Sequence, residues 1–460
     1  MPAFIALLLL ALLGACQALP PVDPNPAASV DAARALFAEA AQADQAGDAE
    51  AALAAVQQAV ALRPNHPTLI YNAAALESQA GLTAQARLRL GKLARMGVGL
   101  DVRAQPAFAS MHGEEAYERV ADELARNAGP FGETPLHHQL VEVEWLRSAL
   151  PEGIAFDSST GEWYVSTVAS CRILDRQSRS VRLAYQGLGY FGIAFDSRRR
   201  VLWATLAVPP GRTASQGGWA NAPAGTDWIE AGRSRLERIP VDELEEQGVL
   251  DEVGWFAGPS QVAGVPGDQP SALGDVLVRA NGEVLASDAE GGTIWRVIDP
   301  NGWDSSREGP WLEQWLQGAL LPSPQGMAEA AGFVYLADYS TGLHRLDGDG
   351  ERRPLIKPED LCDLGIDGLV SAGDRHLVAI QNGFAPQRIL WLTLSADGTA
   401  ITDWKVLAAG LPEWREPTQG LVHEGWFYFI ANSHWPDFAD FEIPQGEQSP
   451  PEIRKLELPL

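Results

Sequence analysis

Two carboxylates stand where local backbone chemistry does not ask for them. Glu152 directly precedes the glycine of Gly153-Ile154-Ala155-Phe156-Asp157, and Asp367 directly precedes that of Gly368-Leu369-Val370. At the same place in sister segments the chain carries Phe191, Gly274-Asp275, Gln325 and Gln419. A second set of polar residues ends the segments that follow: Thr167, Thr205, Asp288, Asp338, Asn382 and Asn432. If the two sets face one axis, carboxylate and amide oxygens converge as a ring suited to a hard divalent cation such as Ca²⁺. Asp and Asn at strand ends also bond turn backbones, and Asp338, Asn382 and Asn432 taken singly fit that role as well. His434, in Asn432-Ser433-His434-Trp435, is the histidine placed to carry a proton at such a mouth. His344, His376, His423 and His434 have no zinc-binding spacing, and no serine sits in a nucleophile elbow.

The elements that must position these residues recur. An apolar run opened by a small or polar residue returns six times, at Gly153, Gly192, Asp275, Gly326, Gly368 and Gly420. Self-similarity at roughly 40–50 residues is the mark of a β-propeller with one four-stranded blade per repeat. Second strands such as Val334-Tyr335-Leu336-Ala337-Asp338 and third strands such as Leu343-His344-Arg345-Leu346 follow in the same order each time. The chain ends on a third strand, Ile453-Arg454-Lys455-Leu456, with no fourth after it. Residues 140–145 form a strand without a blade, so pairing the two is expected to close the ring and complete blade six. Residues 209–270 are a long insertion rich in Gly, Pro and Ala, expected to carry structure or cover the channel. Residues 432–451 form a second, acidic and aromatic loop.

Before the propeller the period changes. Residues 30–128 read as helices, with Gly47 and Gly81 separating helical stretches at 81 − 47 = 34 residues. That is the tetratricopeptide spacing. Residues 115–125 resemble a closing helix, and Gly129-Pro130-Phe131-Gly132 marks the linker to a propeller over 138–460. The fold class is therefore α plus all-β, helical repeats followed by six blades. Residues 1–16 read as a secretory signal, its apolar core shorter than the ~20 residues that span a bilayer. Leu13-Gly14-Ala15-Cys16 resembles the bacterial lipobox, although the segment before it lacks Lys and Arg. The expectation is an exported protein of the bacterial envelope or periplasm, lipid-anchored at Cys16, with residues 17–29 as a Pro-rich tether.

Acidic residues outnumber basic ones 60 to 34, a formal charge of −26 that repels nucleic acid. Beyond Cys16 only Cys171 and Cys362 remain, far apart and expected to be buried thiols.

The propeller region resembles the senescence-marker protein/gluconolactonase family, with paraoxonase and strictosidine synthase as more distant relatives. The resemblance rests on Pro151-Glu152-Gly153-Ile154, Gln325-Gly326, Tyr335-Leu336-Ala337-Asp338, Asp367-Gly368-Leu369 and Ile430-Ala431-Asn432-Ser433. It implies a channel cation held by a Glu, two Asn and an Asp, which polarises a lactone or ester carbonyl while an acidic residue handles the proton. Glu152 and Asp367 match the Glu and the Asp. Gln325 stands for one Asn, and Gly274, beside Asp275, for the other. The metal set is then Glu152, Asp275, Gln325 and Asp367, with Asp367 and His434 as acid–base residues and Asp288, Asp338, Asn382, Gln419 and Asn432 around the mouth.

Two functions follow. The first is a non-catalytic envelope protein whose propeller mouth binds a small ligand or partner and whose helical repeats dock a protein. The second is a metal-dependent hydrolase of small lactones or esters.

Overall fold

The doublet formed by each special residue and its glycine is a β-bulge. In blade one Pro151 pairs with Thr167 and Ile154 with Val165, leaving Glu152 and Gly153 opposite Ser166 alone. The same two-against-one skip places Phe191-Gly192 opposite Thr205, Gly274-Asp275 opposite Ser287, Gln325-Gly326 opposite Ala337, and Asp367-Gly368 opposite Ile380. A bulge bends its strand and re-aims a side chain. Here it does so at the same level of five successive blades.

The structure is a computed structural model that describes residues 21–140, 149–183, 188–208, 234–244, 261–302, 311–438 and 449–460. It contains six four-stranded antiparallel sheets, a six-bladed β-propeller. The inner strands are Pro151–Asp157, Gly189–Asp196, Leu273–Val278, Pro324–Ala330, Ile366–Ser371 and Gly420–His423, each packed against the next around the axis. Blade six is closed by an N-terminal strand, as expected, but that strand is Leu136–Gln139, paired with Glu452–Glu457. Of the expected segment 140–145, only Leu140 lies within the described residues. The insertion at 209–270 supplies the third and fourth strands of blade two, Arg235–Pro240 and Gln261–Gly264.

The bulge glycines are required by close approach. A Cβ on Gly192 would lie 2.4 Å from the Gly274 carbonyl oxygen and 2.7 Å from the Asp275 Cα, both backbone atoms of the next blade. Gly153, Gly326 and Gly368 meet the neighbouring blade's carbonyls at 2.4–2.5 Å in the same way. Side chains then bolt the blades together. The Ser166 hydroxyl accepts from Gly153 N at 2.8 Å and donates to the Phe191 carbonyl, and Thr418 Oγ1 donates to the Glu152 carbonyl at 3.0 Å. Gly192→Ala is expected to cost about 2–3 kcal/mol by overpacking, read as a lower urea midpoint. Gly264→Ala, which faces open space, should leave the midpoint in place.

Ahead of the propeller run helices α1 (Pro26–Gln45), α2 (Ala49–Leu62), α3 (Pro67–Gln79), α4 (Thr83–Arg95) and α5 (Glu115–Ala128), with a 3₁₀ turn at Pro106–Met111. Asn25 and Asp48 cap α1 and α2 by accepting from Ala28 N and Ala51 N. Gly47 and Gly81, at φ +77° and +78°, end α1 and α3 in a left-handed turn that favours glycine. Ala52, Ala59, Ala73, Ala74 and Ala86 are fully buried, and their small side chains let the helices pack closely. Helix α1 begins at Pro26, so the expected tether is shorter than 17–29 and its last four residues are helical. The signal segment and Cys16 lie outside the described residues.

The helices rest on blades four and five. Cys362 and Leu364 join the helical core, Arg388 donates to the Met96 carbonyl at 2.7 Å, and Asn65 donates to the Leu361 carbonyl at 3.3 Å. These propeller residues lead into the inner strand of blade five or flank its second and third strands, which places the helices at the bulged end of the channel. Cys171 and Cys362 are buried free thiols, and burial pushes the Cys362 thiol up to about 11.

Candidate functional site

Inner strands of all six blades line a channel of about 560 Å³. Its wall mixes polar and apolar surface, with Ile154, Phe156, Ile193, Phe195, Met327 and Leu369 among the lining residues, and Asp275 and Gln419 lie at its bulged end. There the bulges gather acids from blades that are distant in sequence.

Glu152 is 8% exposed, and its Oε2 accepts from the Trp435 indole N–H at 2.6 Å. Leu150, Val168, Phe438, Phe191 and Trp435 pack together beside it, a dry wall on one side of the mouth. Burial holds the Glu152 carboxyl well above the usual carboxylate range, and the charge of Asp367 pushes it further, against the Trp435 hydrogen bond. Asp367 is raised to about 7 by burial, opposed by Asn382 Nδ2, which donates to its Oδ2 at 2.7 Å, and reinforced by the charges of Glu416 and Asp275. Asp275 is raised to about 7 by burial, opposed by the Met327 N–H, which donates to its Oδ2 at 2.9 Å. Asp275 occupies the bulge-glycine position of blade three, so this acid also bolts blade three to blade four.

Glu416 is the acid that sequence reading passed over. Its carboxyl is raised by burial, and its charge acts on both Glu152 and Asp367. It sits in an irregular lead-in to blade six, one residue before Pro417, whose carbonyl accepts from Asn382 Nδ2 at 3.1 Å. No motif marks it. Tyr339 was missed too: its hydroxyl donates to Asn382 Oδ1 at 3.2 Å and so holds the amide that faces Asp367.

The other expected mouth residues divide. Asn382 and Gln419 are at the mouth. Asp288 and Asp338 are fully buried in turns: Asp288 accepts from Ala272 N, Gly291 N and the Trp295 indole, and Asp338 from Ser323 N, Ser340 N and Thr341 N. Asn432 ties down the loop before the last strand through Ser449, Pro450 and Glu452. His434 has both ring nitrogens engaged within that loop, Nδ1 with Asp437 at 3.2 Å and Nε2 with the Ser449 carbonyl at 3.1 Å. These contacts make it a staple of the loop.

The metal set implied by the family resemblance does not assemble. No three His, Cys, Asp or Glu side chains group as metal ligands among the described residues. Gly274 offers no side-chain oxygen, Gln325 donates its amide to Ser323 Oγ at 3.0 Å, and Glu152, Asp275 and Asp367 each have one oxygen held by a protein donor. The mouth is an acidic, proton-holding well rather than a preformed coordination sphere.

No family model matches the chain, and no curated protein matches it. Among solved structures it is similar to a streptogramin B lyase, at 12% identity over 71% of this chain and 98% of that one, with a TM-score of 0.40. It is also similar to a virginiamycin B lyase from Staphylococcus aureus, at 13% identity over 71% and 100% of the two chains, with a TM-score of 0.37. An oligogalacturonate lyase in complex with manganese gives 11% identity over 67% and 76%, with a TM-score of 0.37. The six-bladed architecture rests on this chain's own sheet order.

Proposed function

We propose that this is a binding protein whose propeller mouth takes a small amphiphilic cation, its charged group among Glu152, Asp275, Asp367 and Glu416 and its apolar part in the channel. The observation that carries this reading is the gathering of acids without counter-charge: the bulges bring Glu152, Asp275 and Asp367 to one end of the channel, where burial pushes Asp275 and Asp367 up to about 7, and no Lys or Arg is among the described residues lining the channel. A bound cation supplies the charge that the wall lacks and so favours the ionised carboxylates. Binding therefore releases protons, and affinity rises with pH, by up to about tenfold per unit for each proton released.

Calorimetry with hexylamine, hexanol and Ca²⁺ at pH 6 and pH 8 tests this. Hexylamine should bind more tightly at pH 8, hexanol should not, and Asp367→Asn should flatten the pH dependence by the share of one proton, with Asp275 retaining its own. Equal binding of amine and alcohol, or no amine binding at pH 8, would end this reading. Tight Ca²⁺ binding lost in Glu152→Gln would instead restore the cation site of the gluconolactonase-like family. One observation keeps the hydrolase alternative: Asp367, near 7, can exchange a proton at neutral pH. Lactone turnover abolished by Asp367→Asn would establish it.

In the same reading the helices are tetratricopeptide-like and dock a protein partner, and the chain is exported and lipid-anchored at Cys16. Mass spectrometry of the mature N-terminus checks the anchor. No helix among the described residues is long and apolar enough to cross a membrane.

A further inference from the structure

We infer that the seam between the helices and the propeller holds a second binding site, for a small amphiphilic anion such as a medium-chain carboxylate. A cavity of about 300 Å³ lies between α1, the start of α3 and the blade four–five connections. That is the lower end of the size range of small-ligand pockets. Its apolar wall comes from both domains: Val30, Phe37 and Leu69 from the helices, Leu364 and Phe384 from the propeller.

The charged lining residues are Arg34 and Arg63, and no Asp or Glu among the described residues lines the cavity, in a chain with 60 acids and 34 bases. Arg34 has a side chain 70% exposed and lies 3.7 Å from Asp31 on its own helix, which leaves it free to swing toward a ligand. Arg63 donates to the Ser340 carbonyl across the seam. His66 is a third polar lining residue, and its Nδ1 is met by no side chain or backbone group of another residue. Burial and the neighbouring Arg63 charge hold this imidazole down to about 4, so it is neutral at physiological pH. A carboxylic head between the two guanidiniums, with its chain on Phe37 and Phe384, satisfies the charge pattern and the apolar wall together.

Titration calorimetry of the full chain with octanoate and octanol decides the matter. Octanoate is expected to bind at least tenfold more tightly than octanol. Arg34→Glu, a change at an exposed position that the fold tolerates, should weaken octanoate about tenfold or more. Val30→Trp, which fills the cavity, should abolish its binding. The proposal is overturned if octanoate gives no heat at millimolar concentration, if octanol binds equally well, or if octanoate affinity is unchanged in Arg34→Glu. Should Val30→Trp fail to fold, the charge-reversal variant alone separates these outcomes.

Discussion

Glu237→Gln is expected to destabilise the protein by about 3–5 kcal/mol. Glu237, on the third strand of blade two, is fully buried, as is Tyr190 on that blade's inner strand; Arg182, on the outer strand of blade one, is 2% exposed. The Arg182 guanidinium donates to one Glu237 oxygen, and the Tyr190 hydroxyl donates to the other at 2.6 Å. Around them pack Ile173, Leu188, Leu206 and Ile239. Removing the carboxylate's charge takes the Glu237 charge away from a guanidinium in an apolar seam, so the cost is lost compensation for the desolvation of Arg182 and more than one weakened hydrogen bond. The double variant Arg182→Met with Glu237→Leu should recover most of the loss, because it removes both charges together. Guanidinium unfolding of the two single variants and the double variant, read as a cycle, measures this. If Glu237→Gln costs less than about 1 kcal/mol, the pair is not the bolt between blades one and two that its burial implies.

The second large effect is a gain. At pH 8, Asp367→Asn and Glu152→Gln should each raise the thermal midpoint of the wild-type protein, and the gain should be smaller at pH 5. Both carboxyls have folded-state values raised above those of an unfolded chain. The folded protein therefore binds more protons than the unfolded one between the two values, and stability falls as pH rises through that interval. For Asp367 the window runs from the unfolded carboxylate range up to about 7, and the Glu152 shift has the same sign. A neutral amide removes the charging cost while keeping the geometry: the new side-chain oxygen can still accept from Asn382 Nδ2 at position 367 and from the Trp435 indole at position 152. Midpoints recorded from pH 5 to pH 8 check this. If the wild-type curve rises with pH as steeply as the variants' curves, these acids are solvated and the well is not dry.

On the proposed reading, such a gain on removing two acids is what a binding site costs a fold: carboxylates held against an apolar wall lower stability, and a bound cationic ligand would return it. The same arrangement makes the mouth sensitive to pH near neutrality without any histidine.

Much of the architecture is legible in the sequence because it is periodic. The six apolar openings from Gly153 to Gly420 are the six inner strands, and an N-terminal strand does close the ring. The doublets Glu152-Gly153 and Asp367-Gly368 stand out in the sequence, but their nature as bulges does not, since a two-against-one register exists only once a partner strand is in place. Asp288 and Asp338 read as mouth residues and are turn caps. An aspartate at a strand end looks the same in sequence whether it meets a backbone N–H or the channel. Glu416 escapes notice for the opposite reason, being in an irregular segment with no repeat to mark it.

Local patterning alone therefore determined the element types, the blade count and three of the four mouth acids, because alternation and recurrence act over a few residues at a time. Which acids share one well, which carboxylate oxygens are already held, and where the helices sit on the blades were decided by packing between segments hundreds of positions apart. Those contacts depend on distance through space and on exclusion of water, and neither quantity is written in the order of residues along the chain.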